Sequence, residues 1–408
     1  MKCKRLLLAI VLIMLATAGP WAWAQTEQTI YNFNCATDGC GPYAGLTWGG
    51  KNLYGTTSSA GPGGDGTVFE LSPSKDGWNY QVIFSFNNTT TGKDVYSNLT
   101  YYKGALYGAA NGGGEPPCAC GVLFELKKVK GVWTETILHD FEGGATDGSF
   151  PRGGVAFDSK GNIYGTTAYG GTAPENCGPG NGCGTVYELS KVKGKWQFSV
   201  LYSFQGSAQG GPYDGAEPYA TPAIDGAGNL YGTTCCEGTN GGNVWELSPA
   251  GGGKWNYQNW FFFNGTATGY QPNAGVILDS HGNLYGTVAG SGTAFEMTGP
   301  SPLDYNLIYS QEAGKVPDVI DSYAPLVFDS SGNLYGTTYT YGDGDGDGTV
   351  FELASPDWVP TILYIFPVGG ADGSGIQSAV TVDKKGNVYG TASGGGSLGG
   401  GVIFEISP

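Results

Sequence analysis

Residues 161–167 read Gly161-Asn162-Ile163-Tyr164-Gly165-Thr166-Thr167, and residues 184–189 read Gly184-Thr185-Val186-Tyr187-Glu188-Leu189. A glycine-rich loop separates them. Ahead lies Gly154-Val155-Ala156-Phe157-Asp158 with a Ser-Lys-Gly turn; behind lie Trp196 and Ser199-Val200-Leu201-Tyr202-Ser203-Phe204. Short runs rich in Val, Thr and aromatics, bounded by Gly, Asn and Asp turns, are strand signals. The stretch therefore holds four strands, labelled A, B, C and D in chain order.

Working outward, the Asn-Leu-Tyr-Gly step recurs with tyrosines at Tyr54, Tyr107, Tyr164, Tyr231, Tyr285, Tyr335 and Tyr389, spaced by 53, 57, 67, 54, 50 and 54 residues. Periods of this size mark a propeller or solenoid. No stretch after residue 24 shows helical periodicity. After residue 40 the chain holds seven A, seven B and seven C segments but six D segments, and it reaches Pro408 directly after the last C. Thr29-Ile30-Tyr31-Asn32-Phe33 matches Val82-Ile83-Phe84-Ser85-Phe86 and supplies the missing D strand from the N-terminal end. This permutation closes a ring and removes an open sheet edge. The reading is an all-β, seven-bladed β-propeller of four antiparallel strands per blade over residues 25–408. Trp78, Trp133, Trp196, Trp255 and Trp358 each precede by eight residues Phe86, Phe141, Phe204, Phe263 and Phe366. An even separation predicts one side of strand D for both, filling the space between blades.

Lys2, Lys4 and Arg5, the apolar run Leu6–Leu15 and Ala22-Trp23-Ala24 form an n-region, an h-region and an A-x-A cleavage signal. Residues 1–24 are read as a signal peptide, with a secreted, extracellular or periplasmic destination and no later membrane span. Cys3 precedes the apolar run and is no lipobox cysteine. Removing three cations from 19 leaves 16 Lys+Arg against 35 Asp+Glu, or −19, for the mature chain. So acidic a surface repels phosphates, so nucleic acid is set aside as a partner. A monomer is expected.

Eight cysteines remain after Cys3, an even number that suggests disulfides in an exported chain. Local spacing pairs Cys35 with Cys40 and Cys177 with Cys183. Cys118, Cys120, Cys235 and Cys236 are left open between strained local bridges, cross-pairing and free thiols. The spacing lacks C-x-x-C knuckles and the chain has two histidines, which disfavours zinc.

The unit Gly-Asn-Leu-Tyr-Gly-Thr-Thr, Gly-Gly, Gly-Thr-Val-Phe-Glu-Leu, Leu-Tyr-Ser-Phe resembles the GloVer-type tandem repeat of bacterial choice-of-anchor exported proteins, across essentially the whole mature chain. The resemblance implies an extracellular or surface propeller and no particular reaction. Such proteins often carry a C-terminal sorting anchor; none follows Pro408, which argues against surface retention. WD40 signatures are missing, and the only trace of an Asp-box is Ser74-Lys75-Asp76-Gly77-Trp78.

In antiparallel blades the A–B and C–D connections share one face and the B–C and D–A loops the other. The A–B turns, such as Asp225 to Asn229 and Asp279 to Asn283, are short and alike. The B–C and D–A loops are long, variable and hold every mature cysteine, so binding is expected on their face. There Asp38, Asp147, Asp214 and Asp372 begin D–A Asp-Gly steps. They are candidates to ring the channel mouth and hold a cation or a polyhydroxylated ligand, against a plain turn-forming role. Asp343, Asp345 and Asp347 alternate with glycine like a calcium loop. Ala354 stands where an EF-hand needs Glu, so the alternatives are Ca2+ in another geometry and a solvated flexible loop. The loop aromatics Tyr43, Tyr169, Tyr213, Tyr270 and Tyr341 suit sugar stacking or simply cover loop surface, with Tyr43 and Tyr213 taken as ligand-binding candidates.

Glu70, Glu125, Glu188, Glu246, Glu296, Glu352 and Glu405 recur on strand C, and repetition in every blade points to structure, with backbone donors as the expected partners. His281 falls in a plain-face turn and His139 at an inter-blade position, so a histidine metal centre or Ser-His-Asp triad is poorly supported. The leading function is an extracellular binding module for a carbohydrate or cell-surface polymer. The alternatives are a polysaccharide lyase or glycoside hydrolase using loop carboxylates, and a structural surface protein.

Overall fold

The structure, a computed structural model, describes residues 25–408 apart from 88–89, 174–176, 178–181, 207–212, 237–240, 266–267, 299–303, 310–318, 321 and 342–345, with backbone only at 291, 319–320, 340–341 and 346. Seven small antiparallel sheets are arranged in a ring, each with the strand order A-B-C-D. In the third blade these are Ala156–Phe157, Ile163–Thr167, Thr185–Val192 and Lys195–Ser203. The sixth sheet gains two short strands from its loops, Val319–Ile320 and Thr340–Tyr341.

The seventh blade joins Thr381–Val382, Val388–Ala392 and Val402–Ser407 to the N-terminal strand Thr26–Asn32. Thr26 pairs with Ser407 and Asn32 with Val402, as the strand count predicts. Phe33 continues that strand and is fully buried between the seventh and first blades, against Phe69 at 5.3 Å between ring centroids.

One expectation is corrected. Trp78 packs on Tyr389 of the preceding blade at 5.8 Å, whereas Phe86 packs on Phe124 of the following blade at 5.3 Å. They lie on opposite faces of the sheet because strand D carries a β-bulge: Val68 faces Phe84, Phe69 faces Val82, and Ile83 has no partner. One extra residue inverts the period-two alternation. The same register shift recurs in all seven blades. Each D strand therefore fills two seams, with its first half facing one neighbour and its end facing the other.

The repeat motif is explained residue by residue. The glycine of Tyr-Gly-Thr, such as Gly232, faces the strand-C aromatic, and a Cβ there would run into the ring of fully buried Trp245. The first threonine reaches the next blade: Thr166, Thr233, Thr337 and Thr391 donate to the carbonyls of Ala220, Ala274, Ser378 and Ala44 at 2.8–2.9 Å. The last of these spans 347 residues of sequence and helps close the ring. The second threonine bonds within its own blade, as Thr338 does to Thr349 at 2.8 Å.

The strand-C glutamates are structural, but their partner is a side chain rather than backbone. The phenols of Tyr54, Tyr107 and Tyr285 donate to Glu70, Glu125 and Glu296 at 2.9, 2.6 and 2.6 Å. Burial, then the facing carboxylate, raises the phenols of Tyr107 and Tyr285 above the usual tyrosine value, so they stay protonated donors. In the fourth blade Glu246 takes Trp260 Nε1 at 2.7 Å instead.

Candidate functional site

The two faces of the ring differ as the loop lengths predict. On the plain face the A–B turns repeat one Asx arrangement. Asp225 accepts the amides of Ala227 and Asn229 and the Asn229 side chain at 2.8–2.9 Å, and Asp158, Asp279, Asp329 and Asp383 do the same. On the other face the D–A and B–C loops of a blade zip together, with bridges Cys40–Ser59, Lys93–Gly112, Ala216–Cys236 and Ser374–Gly394. The loop face is therefore a continuation of the sheets. Disulfides join Cys35 to Cys40 and Cys177 to Cys183, as expected, and also Cys118 to Cys120 and Cys235 to Cys236. Donor atoms of Glu217, Cys235 and Cys236 lie within 4.8 Å of one another, with the two sulfurs bonded to each other.

At the centre of this face opens a cavity of about 550 Å³ lined by residues from all seven blades. Tyr43, Tyr96, Arg152, Tyr219, Asn273, Tyr323 and Gln377 line it, one from each blade. They occupy the same position in the repeat. The residue three places on is apolar in each, with Leu46, Leu99, Val155, Val276, Leu326 and Val380 in the core. The carbonyl one place on holds the threonine bond from the preceding blade behind Tyr43, Tyr219, Asn273 and Gln377. Two places before, the backbone turns left-handed at Gly41, Asp94, Phe150, Glu217, Gln271 and Gly375, with φ between 55° and 67°. Four of these six are not glycine, and such strain costs on the order of 1 kcal/mol or more at each. Strained kinks thus aim a ring of long side chains over the axis.

Within the ring Tyr43 and Tyr96 meet edge to face at 5.6 Å, and Tyr323 meets Tyr339 of a B–C loop at 5.9 Å. Tyr96 and Tyr323 are 37% and 39% exposed. The wall below carries Thr47, Asn98, Thr100 and Thr221 among small and apolar residues.

The four Asp-Gly carboxylates lie elsewhere, and none lines the cavity. Asp38 accepts from Tyr31, the Asn34 amide and Thr37 at 2.9 Å each. Asp147 takes His139 Nε2 at 3.1 Å and the Glu142 amide at 2.9 Å; Asp214 takes Tyr202 at 2.6 Å and the Gln205 amide at 2.8 Å. Asp372 takes Tyr364 at 2.7 Å. Each thereby ties its D–A loop to strand D, the outermost strand. Burial raises the Asp214 carboxyl above its ordinary value, opposed by Tyr202 and backbone donors. The ring residue follows five places after each of these aspartates, at Tyr43, Arg152, Tyr219 and Gln377. That offset was the available signal for Arg152, Tyr219 and Gln377, which the sequence reading passed over; no Asp-Gly step precedes Tyr96, Asn273 or Tyr323 by five places.

Tyr213 is 60% exposed beside Asp214 and does not line the cavity. Tyr270 packs over Gly290 and Tyr169 against Phe150. Asp343 and Asp345 lie outside the described residues, as does the side chain of Tyr341; Asp347 accepts the Gly369 amide at 2.7 Å. His139 is packed between blades, stacked on Phe198 at 3.9 Å, and His281 sits exposed beside Asp279 in its plain-face turn.

Fold and cavity together define a seven-bladed β-propeller with an open axial cavity on its loop face. The chain belongs to the Gloeobacter/Verrucomicrobia repeat family, whose model matches residues 20–179 and 114–313. No curated protein matches the sequence. Among solved structures it is similar to a catalytically inactive histidine-to-alanine virginiamycin B lyase of Staphylococcus aureus with quinupristin (TM-score 0.58, 12% identity, 94% of this chain and 99% of that one). It is also similar to a streptogramin B lyase (TM-score 0.59, 14% identity, 95% and 99%). A puromycin-hydrolysing peptidase of Mycobacterium tuberculosis matches 90% of this chain and 53% of its own at TM-score 0.52 and 11% identity. At these identities the likeness is one of fold.

Proposed function

We propose that the mature chain is an exported binding module that takes a carbohydrate or related cell-surface polymer at the mouth of its axial cavity. The observation that carries this reading is the ring itself, in which every blade presents an aromatic or polar side chain at the same position of the repeat. Tyr43, Tyr96, Tyr219 and Tyr323 would stack on sugar faces, and Asn273 and Gln377 would bond hydroxyls, the division of labour typical of small-ligand sites. In this reading Asp38, Asp147, Asp214 and Asp372 hold the loops that aim the ring. Four disulfides fit an oxidising compartment, and among the described residues no helix is long and apolar enough to cross a membrane.

Cleavage is the second reading, prompted by the lyases among the fold relatives. One of those is inactivated by replacing a histidine, whereas His139 and His281 stand away from this cavity. That supports binding without turnover. Thermal melting of the purified protein against a panel of oligosaccharides tests the proposal, since a ligand of the native state raises the melting temperature. Tyr96→Ala and Tyr323→Ala should each weaken binding by about 3- to 10-fold. Product analysis on any ligand found separates binding from cleavage. A panel with no shift refutes the carbohydrate reading. Calcium and EDTA arms test the proposal of an ion at Asp343, Asp345 and Asp347.

A further inference from the structure

Arg152 stands apart in the ring. It is the only arginine after residue 24 and, among the described residues, the only charged one lining the cavity. Its guanidinium lies over the Tyr219 ring at 4.7 Å and makes no ion pair with any described residue. A guanidinium over a ring still carries its fork of N–H donors. Neither Glu217 nor Asp94, the acidic residues two places before Tyr219 and Tyr96, forms an ion pair with Arg152 among the described residues. Glu217 accepts the Tyr219 hydroxyl, and Asp94 is raised by burial, with neighbouring Lys93 opposing the shift. A lone cation over an aromatic ring, on a chain of net charge −19 after the signal, is matched to one anionic group.

Resting on the mouth reading above, we propose that the ligand is an acidic saccharide. Its carboxylate takes the in-plane fork of Arg152, and its ring stacks on the neighbouring tyrosines. A fork of two parallel N–H···O bonds suits a planar carboxylate. The cavity, at about 550 Å³, is of small-ligand size. The negative charge of the whole chain opposes a long polyanion. The ligand class is therefore a short oligouronate or the acidic end of a chain.

The test is titration calorimetry of the mature protein with short oligouronates of the galacturonate, glucuronate and mannuronate series and with their neutral hexose counterparts. One uronate series is expected to bind at least about 10-fold more tightly than its neutral partner. Arg152→Gln should cost that uronate on the order of 10- to 100-fold and cost its neutral counterpart less, so that the preference for the acid is lost. Arg152→Lys, which keeps the charge and loses the fork, should recover only part. Arg152 is exposed, so the melting temperature of each variant should match the parent and certify folding. Equal affinity for neutral and acidic partners, or an Arg152→Gln variant that binds the uronate normally, overturns the proposal and leaves the mouth reading standing. No binding by any of these sugars overturns both.

Discussion

Phe33→Ala tests whether the N-terminal strand closes the ring. Phe33 has no exposed surface and sits among Phe69, Tyr31 and Tyr80, with ring centroids at 5.3, 5.5 and 5.8 Å. Truncating a core phenylalanine removes its transfer free energy and leaves a cavity, together about 3–5 kcal/mol. Unfolding entropy of ~2.1 cal/mol/K per residue over roughly 380 residues comes to ~0.8 kcal/mol/K, so 4 kcal/mol corresponds to ~5 °C in melting temperature. The assay is paired urea and thermal melts, with Phe204→Ala as internal standard. Phe204 occupies the equivalent position in the third blade, equally buried, against Trp245 at 5.8 Å. Both variants should lose stability by similar amounts. If Phe204→Ala falls by about 4 kcal/mol while Phe33→Ala stays within about 1 kcal/mol of the parent, residues 26–33 do not complete the seventh blade, and the closure argument is refuted.

Two further outcomes follow from the packing. Gly232→Ala places a Cβ against the buried Trp245 ring with no flexible end to yield, so it should destabilise by about 1–3 kcal/mol, read in the same melts. Glu27, on the closing strand, is raised from 4.5 to about 7 by burial and then by Asp372. A raised folded-state value means its contribution is present in full below about pH 4.5 and is lost as pH rises through about 7. Glu27→Gln should therefore match the parent near pH 4.5 and melt higher than it at pH 8; a gap that is absent or reversed at pH 8 contradicts the assignment.

The repeat was fully legible in the sequence. Alternating β-branched and aromatic runs, turn residues at fixed offsets and the missing D strand define seven closed blades, because these are local signals carried by backbone preferences. The same holds for the plain and variable faces and for the pairings of Cys35 with Cys40 and Cys177 with Cys183. What escaped was whatever depends on one residue of register or on neighbours distant in sequence. The bulge at Ile83 separates Trp78 from Phe86, although their spacing is even. The Asp-Gly carboxylates face strand D rather than the channel, since Tyr31, His139, Tyr202 and Tyr364 reach them first.

The ring of Tyr43, Tyr96, Arg152, Tyr219, Asn273, Tyr323 and Gln377 shares no residue type that a repeat search could find. Its members are united only by position on an axis to which each blade contributes one side chain. Sequence patterning determined the blades because each blade is a local object; the mouth exists only where all seven meet, and only the closed tertiary structure could bring those residues together.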